Sequence, residues 1–438
     1  MRRTRPFLAA LAVLTFVGGP SGASASVVGL PAWDIVPASS PGTNARFLDV
    51  TDLGNGVVWA VGNARPNLLA ARWTGTKFAR VSVSSVSGRD NFFEGVDGVA
   101  ANDIWAVGHA DRTDFVGSSS LTYRWNGTAW TRVPSPNLGD SESRNDLNAV
   151  VAISPNNAWA VGTYSDFASS RALTLRWDGT AWRNVPNNCG PGLSGVTALA
   201  ANNVWAVGGG TVCRWDGVRW TAQAAPKPPN RTLDLQDIDT GGGALYAVGI
   251  EQGQCGEGSC GGGIVLRRSG TSWIREAPGY LLLGVSVLGP SDAWAVGRWA
   301  YGSLLLHRNS TGWEPAPPPD TPGLATLEAV SASASSSLFA VGHQLMLSDG
   351  STRTLALRAP STRSGAVAGE TGVGNADVSW FGPEDGTTTS DQFGRFLVGG
   401  LNAGTYDFFA TQQGCSPARR SVKITAGTTI GLSLRPTC

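Results

Sequence analysis

The sequence predicts an all-β fold: a seven-bladed β-propeller of four-stranded antiparallel blades, followed by a small C-terminal β-sandwich. Three observations lead to this prediction. One short phrase recurs seven times at steps of 41 to 54 residues, each copy carries four short apolar segments, and no helical periodicity separates the copies. Repetition of one antiparallel sheet around an axis is typical of a propeller.

Residues 1–25 have the pattern of an export signal. A basic start, MRRTR, precedes the apolar run FLAALAVLTFV, and the small residues from Ala23 to Ala25 offer a cleavage site. The apolar run is short for a membrane span. The sequence therefore predicts a secreted, extracellular protein, mature from about Ser26, without membrane insertion.

Charge and cysteine content narrow the classes of partner and cofactor. A net charge of +1 gives no broad attraction to nucleic acid or to anionic lipid. In an oxidising compartment the six cysteines are expected to pair, and sequence proximity favours three disulfides. Metal ligation is the alternative, but no CxxC or Cys/His spacing supports it, so no metal or cofactor is predicted. The favoured pairs are Cys189–Cys213, Cys255–Cys260 and Cys415–Cys438.

The recurring phrase, WAVG in most copies, forms the second strand of each blade. Its aromatic and valine point to one face of the sheet, and its alanine and glycine to the other. A bulky face can then pack against a flat, small-residue face of the next blade. Dipeptides such as Asp178-Gly179 join the third strand to the fourth in a tight hairpin. The aromatics are Trp59, Trp105, Trp159, Trp205, Tyr246, Trp294 and Phe339.

The propeller is predicted to span residues 26–360 and to be closed by its N-terminus. The seventh unit lacks a fourth strand, whereas residues 32–37 supply one. We expect this segment to be the outermost strand of the last blade, beside residues 355–359, because such pairing removes an open sheet edge.

Most aromatic and cationic positions of the repeat have a structural interpretation. Apart from Trp299 and Trp380, the 17 tryptophans fall at strand positions of the repeat. His307 takes the place that arginine holds in the other blades, so we expect it to stack on an indole.

The C-terminal segment, 361–438, has a different pattern. Short alternating strands and glycine turns predict a β-sandwich. The segment resembles the carboxypeptidase regulatory-like family, which implies a noncatalytic transthyretin-like sandwich. The resemblance depends on Gly365, Asp391, Gly394, Phe396, Leu401, Gly404 and Tyr406.

The propeller resembles secreted bacterial kelch-like or BNR-like repeat proteins in its WAVG phrases and in the segment RWDGTAW. The Asp-box of sialidases is only half matched there, because its leading serine is missing. The missing serine weakens any transfer of sialidase chemistry to this chain.

A ligand site is expected on the rim formed by the second-to-third loops and the links between blades, because these segments vary while the other turns are short and uniform. Exposed aromatics beside carboxylates and arginine suit a glycan or a protein partner. The alternative is that the aromatics pack their own loops. The candidates are Phe92, Phe93, Glu94, Asp114, Phe115, Tyr164, Asp166, Phe167, Arg171, Trp299 and Tyr301.

No catalytic motif or metal-ligand spacing is present in the sequence, so no catalytic residue is predicted. The residues that follow WAVG could ring a channel mouth, but Gly209 and Ile250 interrupt any polar set. The favoured hypothesis is a noncatalytic binding protein. The alternatives are a propeller glycosidase or lyase with Asp114 or Asp166 as an acid, and a spacer without a ligand. The sequence does not indicate the oligomeric state.

Overall fold

The computed structural model describes residues 33–438 except 115, 256–257, 277, 300–301, 334–336, 360–364, 383–385, 391–393, 402–403, 425–428 and 438. Within these residues the regular elements are 35 β-strands. The described part contains no helix of the length and hydrophobicity that a membrane crossing requires.

Strands β2 to β17 form blades 1 to 4, and each sheet follows chain order from its first strand to its fourth. Blade 1 contains β2 (Ala45–Asp52), β3 (Val58–Ala64), β4 (Asn67–Trp73) and β5 (Phe78–Val81). Blade 2 contains β6 (Arg89–Ala100), β7 (Asp103–Arg112), β8 (Ser118–Trp125) and β9 (Trp130–Val133). Blade 3 contains β10 (Arg144–Ser154), β11 (Asn157–Ser165), β12 (Ser170–Trp177) and β13 (Trp182–Asn184). Blade 4 contains β14 (Gly195–Ala200), β15 (Asn203–Gly208), β16 (Thr211–Trp215) and β17 (Trp220–Ala224).

Blades 5 to 7 continue the same plan. Blade 5 contains β18 (Arg231–Gly241), β19 (Ala244–Cys255), β20 (Gly258–Ser269) and β21 (Ser272–Glu276). Blade 6 contains β22 (Leu281–Gly289), β23 (Asp292–Trp299), β24 (Gly302–Arg308) and β25 (Trp313–Ala316). Blade 7 contains β26 (Leu324–Ala332), β27 (Leu338–Leu345) and β28 (Thr352–Ala359), and its fourth strand is β1 (Asp34–Ile35). The predicted seven-bladed propeller is therefore confirmed.

The N-terminal strand closes the last blade, as the sequence predicts. Asp34 pairs with Arg358 and Ile35 with Leu357 in antiparallel register. Trp33, just before the strand, is 4% exposed and lies edge-on to Trp294 at 5.3 Å. Both ends of the propeller therefore share one sheet.

Aromatic triads fill the interfaces between blades. Trp59 of blade 1 lies 4.8 Å from Trp125 and 5.2 Å from Trp130 of blade 2. The same arrangement recurs at the next two interfaces, as Trp105 with Trp177 and Trp182, and Trp159 with Trp215 and Trp220. The expected stacking of His307 is confirmed, because its ring lies 4.6 Å from that of Trp294.

The glycine of the repeat has a different neighbour from the one that the sequence suggests. A Cβ atom on Gly162 would lie well under 3.0 Å from the carbonyl oxygen of Asp146, which belongs to the inner strand of the same blade. Gly62, in blade 1, meets Arg46 in the same way. The absent side chain therefore admits the neighbouring strand of its own sheet, rather than a flat face of the next blade.

The inner strands are joined around the axis by contacts from each blade to the next, and the last inner strand meets the first. Side chains of these strands bind backbone groups of the neighbouring blade. The Asp49 carboxylate accepts from the Val96 amide at 2.7 Å, and the Asp97 carboxylate accepts from the Ala152 amide at 2.8 Å. Four further interfaces have such bonds, which join Asn148 to Leu193, Asp237 to Val285, Ser286 to Ala332, and Ser331 to Asp52. At the remaining interface the Thr197 hydroxyl donates to the Asp239 carboxylate at 3.5 Å.

Residues after 364 form two small sheets. One has the order β32 (Arg395–Leu401), β29 (Gly365–Glu370), β35 (Thr429–Ser433), and the other β31 (Gly386–Thr389), β30 (Asp377–Phe381), β33 (Gly404–Thr411), β34 (Ala418–Ile424). Phe396, Leu401 and Tyr406, which carry the sequence resemblance, lie in one buried cluster. The family assignment of this module remains a prediction.

The disulfide between Cys189 and Cys213 is present, with a Cα–Cα distance of 5.6 Å, as predicted. It ties the link before blade 4 to the third strand of that blade. The side chains of Cys255 and Cys260 lie outside the described residues. Cys415 is disulfide-bonded, but its predicted partner Cys438 also lies outside them.

Candidate functional site

Bulges in the inner strands place side chains at one mouth of the central channel. In six of the seven blades the register between the first and second strands shifts by one residue at the same level. A bulge re-aims a side chain and is often found beside a functional site. The bulged residues are all half-buried, and they are Leu48, Glu94, Asn148, Gln236, Leu283 and Glu328.

Charged side chains gather at this mouth, which opens on the rim of the second-to-third loops. They come from the bulges, from the start of the inner strands, and from the ends of the second strands after WAVG. We call this group the mouth cluster. It consists of Arg46, Glu94, His109, Asp111, Arg144, Asp146, Glu328 and His343.

Arg144 organises one side of the mouth cluster. Its Nη2 lies 2.9 Å from Oδ1 of Asp111 and 3.1 Å from Oδ2 of Asp146. Ser118 also donates to Asp146. His109, Asp111 and Asp146 each offer a ligand atom, and these atoms lie within 4.8 Å of one another. Arg144 already supplies positive charge to both carboxylates, so the arrangement is a complete ion-pair network rather than an open metal site.

Histidines occupy two of the positions after WAVG. His343 places Nδ1 3.2 Å from Oε1 of Glu328, and His109 places Nδ1 3.9 Å from Oε1 of Glu94. Burial lowers the pKa of His109, although Asp146 and Asp111 oppose that shift. His109 is therefore neutral at pH 7 and does not cancel the nearby negative charge.

Glu94 is the most perturbed carboxyl group of the mouth cluster. Its pKa is raised to about 7, first by burial and then by the charges of Asp146, Glu328 and Asp111, while Arg46 opposes the shift. The side chain is 27% exposed, yet protein surrounds it on nearly every side, which fits a narrow channel mouth. Glu94 thus exchanges a proton near neutral pH.

The structure separates the predicted rim aromatics into buried and exposed groups. Phe93 is fully buried against Tyr123 and Trp130, and Tyr164 is 4% exposed, beneath the Arg171 guanidinium at 4.3 Å. Phe93 and Tyr164 therefore pack inside the protein and are not open to a ligand. Trp299 and Phe167 are 66% and 85% exposed.

Phe92 is a half-buried part of the mouth. Its ring stacks on that of His109 at 4.7 Å, and the guanidinium of Arg65 lies 5.5 Å from its centre. Arg65 in turn pairs with Asp90. The predicted candidates Phe115 and Tyr301 lie outside the described residues.

Asp114 and Asp166 are unsuited to the acid role that the glycosidase alternative gave them. Asp114 binds Arg112 and the Val116 amide, and its pKa is lowered to about 2, chiefly by the hydrogen bond from Arg112. Asp166 caps its own turn by accepting from the amides of Ala168 and Ser169, and its pKa is also lowered. Both are ionised turn acceptors.

Sequence reasoning found Glu94 but missed most of its neighbours. Asp111 lies in the same hairpin as Glu94, whereas Arg46 comes from blade 1, Arg144 and Asp146 from blade 3, and Glu328 from blade 7. The approach of these last four residues depends on how the blades pack around the axis and on strand bulges. The signal that could have found them is the repeat itself, because an alignment of the seven units brings Glu94 and Glu328 to one position.

No protein-family model matches the chain, and no curated protein is similar to it. Solved propeller structures are distantly similar. One described as YCF48 bound to D1 peptide is 15% identical, with a TM-score of 0.50, and covers 76% of this chain and 96% of its own. The extracellular domain of a hybrid two-component system from B. thetaiotaomicron is 11% identical, with a TM-score of 0.46, and covers 91% of this chain and 58% of its own. An exo-1,5-α-L-arabinanase from a bovine ruminal metagenomic library is 9% identical, with a TM-score of 0.36, and covers 63% and 95%. At these identities the similarity concerns the propeller fold alone.

Proposed function

We propose that this chain is a secreted, noncatalytic recognition protein whose channel mouth binds a cationic group of a protein partner. One observation carries the proposal. The mouth cluster holds four carboxyl groups against two guanidiniums, and Oε1 of Glu94 lies 3.9 Å from Nδ1 of the neutral His109. A lysine, an arginine or an N-terminal amine would complement this surplus of negative charge.

Two further features support a protein ligand. Trp299 is exposed on the same rim, and large exposed aromatics often anchor protein partners. The YCF48 structure that is similar in fold holds a bound peptide. The rigid blades would present the mouth without rearrangement, which limits the entropic cost of binding.

The first experiment identifies the ligand class. Arrays of short peptides with one lysine or arginine, matched peptides with acetyl-lysine or citrulline, and an array of neutral and acidic glycans would be probed with the secreted protein. We expect binding to the cationic peptides and loss of binding on acetylation. Equal binding to the cationic peptides and to their acetyl-lysine or citrulline forms would contradict a mouth that binds cations. Binding to glycans alone, at the mouth, would contradict it as well.

Binding is predicted to depend on pH through Glu94. A bound cation favours ionised Glu94, whose pKa is about 7 in the free protein, so affinity should rise about tenfold between pH 6 and pH 8. Glu94→Gln should weaken binding and remove this pH dependence, as measured by titration calorimetry. Asp114→Asn, on the same rim, is the matched control because Asp114 stays ionised throughout this range.

A second function is favoured by the same carboxyl group. With its pKa near 7, Glu94 could donate a proton to a leaving glycosidic oxygen, beside Asp146 as a second carboxylate. Hydrolysis of oligosaccharides that is lost in Glu94→Gln and retained in Asp166→Asn would favour this enzyme over the binding protein.

A further inference from the structure

The interface between blades 5 and 6 contains an open cavity. In blades 1 to 4 the third strand ends in a tryptophan, but in blade 6 the corresponding position is Arg308. The facing aromatic of blade 5 is Tyr246 instead of an indole, and it lies 6.0 Å from Trp313. The resulting cavity has a volume of about 440 Å³, within the range of roughly 300–1,000 Å³ typical of ligand pockets.

The interface between blades 4 and 5 carries the same replacement. Blade 5 also has an arginine in place of the indole, Arg268, whose guanidinium lies 4.3 Å from the centre of the Trp205 ring. Trp313 at the blade 5/6 interface is half-buried, as is Trp273 at the blade 4/5 interface, whereas Trp182 and Trp220 are each only 4% exposed. One side of the Trp313 ring region is therefore open to the cavity.

Polar groups surround this aromatic wall. The Glu276 carboxylate accepts from Nε1 of Trp313 at 2.8 Å and from Nε of Arg267 at 3.2 Å, which fixes its position. Arg308, Tyr280 and Thr311 complete the polar lining. The cavity thus offers hydroxyl donors and acceptors, a guanidinium, a carboxylate and an aromatic surface.

We propose that this blade 5/6 cavity binds a neutral saccharide unit. A pyranose ring presents C–H groups that pack on an indole, and hydroxyl groups that bond to carboxylate, guanidinium and hydroxyl side chains. Nε of Arg308 lies 3.7 Å from Oε2 of Glu276, so the two charges offset each other and favour an uncharged ligand over an anion or a cation.

A longer glycan could continue from the cavity toward the rim. Tyr280, which lines the cavity, lies edge-on to Trp299 at 6.1 Å, and Trp299 is 66% exposed. This aromatic pair extends the apolar surface beyond one sugar ring. The site is separate from the mouth cluster and does not depend on the function proposed there.

The experiment fills the cavity with the side chain that blades 1 to 4 carry at the corresponding position. Arg308→Trp installs the indole that blades 1 to 4 carry, so this variant should fold and melt at or above the wild-type temperature. Binding of neutral mono- and disaccharides, probed on a glycan array and then by titration calorimetry, should fall about tenfold or more in Arg308→Trp and in Glu276→Gln. Thr128→Ala, in the corresponding turn of blade 2, should bind as the wild type does.

Two results would overturn the proposal: no neutral saccharide binds the wild-type protein at millimolar concentration, or binding survives both Arg308→Trp and Glu276→Gln. Glu94→Gln separates the two sites, because it should leave saccharide binding unchanged while it weakens the binding of cationic peptides and removes its pH dependence. Loss of saccharide binding in Glu94→Gln alone would instead place the sugar at the mouth.

Discussion

At the residue scale, the glycine of the repeated phrase shows how one missing side chain permits the architecture. A carbonyl oxygen of the inner strand, or of the segment just before it, lies against the second strand where only a hydrogen atom fits. In six of the seven blades a bulge lies beside this contact, and two of these bulges aim Glu94 and Glu328 at the channel mouth. The WAVG phrase thus marks the second strand of each blade and the backbone geometry beside the mouth. We assign no ligand contact to the residues of the phrase itself.

Gly162→Ala tests this interpretation. The new methyl group would collide with the Asp146 carbonyl in a backbone that cannot yield without breaking the bulge, so we expect a loss of about 1–3 kcal/mol in stability. Gly210→Ala is the control, because a Cβ there meets nothing within 4 Å. Equal urea midpoints for the two variants would contradict a steric role for Gly162.

At the element scale, the strands and their order follow from the sequence, whereas the bulges do not. Alternation in segments such as ALTLRW predicts a strand, and the missing seventh outer strand predicts closure by residues near Trp33. A bulge adds one residue without changing composition, so periodicity alone cannot reveal it. Asp146 and Glu328 lie on other blades than Glu94, so the sequence could not place them beside it before the blades were packed in three dimensions.

The closing strand gives a prediction at this scale. β1 has only two residues, but Trp33 beside it is buried against Trp294 of the neighbouring blade. Trp33→Ala should therefore cost about 3–5 kcal/mol and lower the melting temperature of the whole propeller, because the ring opens at this blade. Ile35→Ala, at a side chain that is 44% exposed, is the matched control. A melt unchanged by Trp33→Ala, measured by calorimetry, would show that the ring does not depend on this closure.

At the scale of the whole molecule, the ring depends on half-buried carboxyl groups along the channel. Asp49, Asp97, Asp237 and Asp239 each accept a backbone amide of the next blade, and burial raises the pKa of each. Their pKa values reach about 6 for Asp97 and Asp237 and about 7 for Asp239. In the folded propeller these aspartates therefore keep their protons to a higher pH than they do in the unfolded chain.

The sign of the resulting pH dependence is fixed by these shifts. Because the folded protein holds these protons more tightly than the unfolded chain does, the stabilisation is complete below about pH 4 and is lost as pH rises through 6 to 7. Surface carboxyls such as Asp114 and Asp407, with lowered pKa values, act in the opposite direction and lose their contribution as pH falls below 4. We therefore expect maximal stability near pH 4, and a melting temperature that falls by several degrees between pH 4 and pH 7.

Asp239→Asn isolates one of these groups. The amide oxygen can still accept from the Val287 amide, at 2.7 Å in the wild type, but the side chain stays neutral at every pH. Above pH 5 the variant should therefore lose less stability than the wild type, by up to about 1.4 kcal/mol per pH unit. Screening by water in the channel reduces this difference. Asp234→Asn, exposed on the same strand, should leave the wild-type profile intact. Parallel melting curves for Asp239→Asn and the wild type from pH 5 to pH 8 would mean that Asp239 is ionised throughout, and the ring would then close by hydrogen bonding to charged carboxylates.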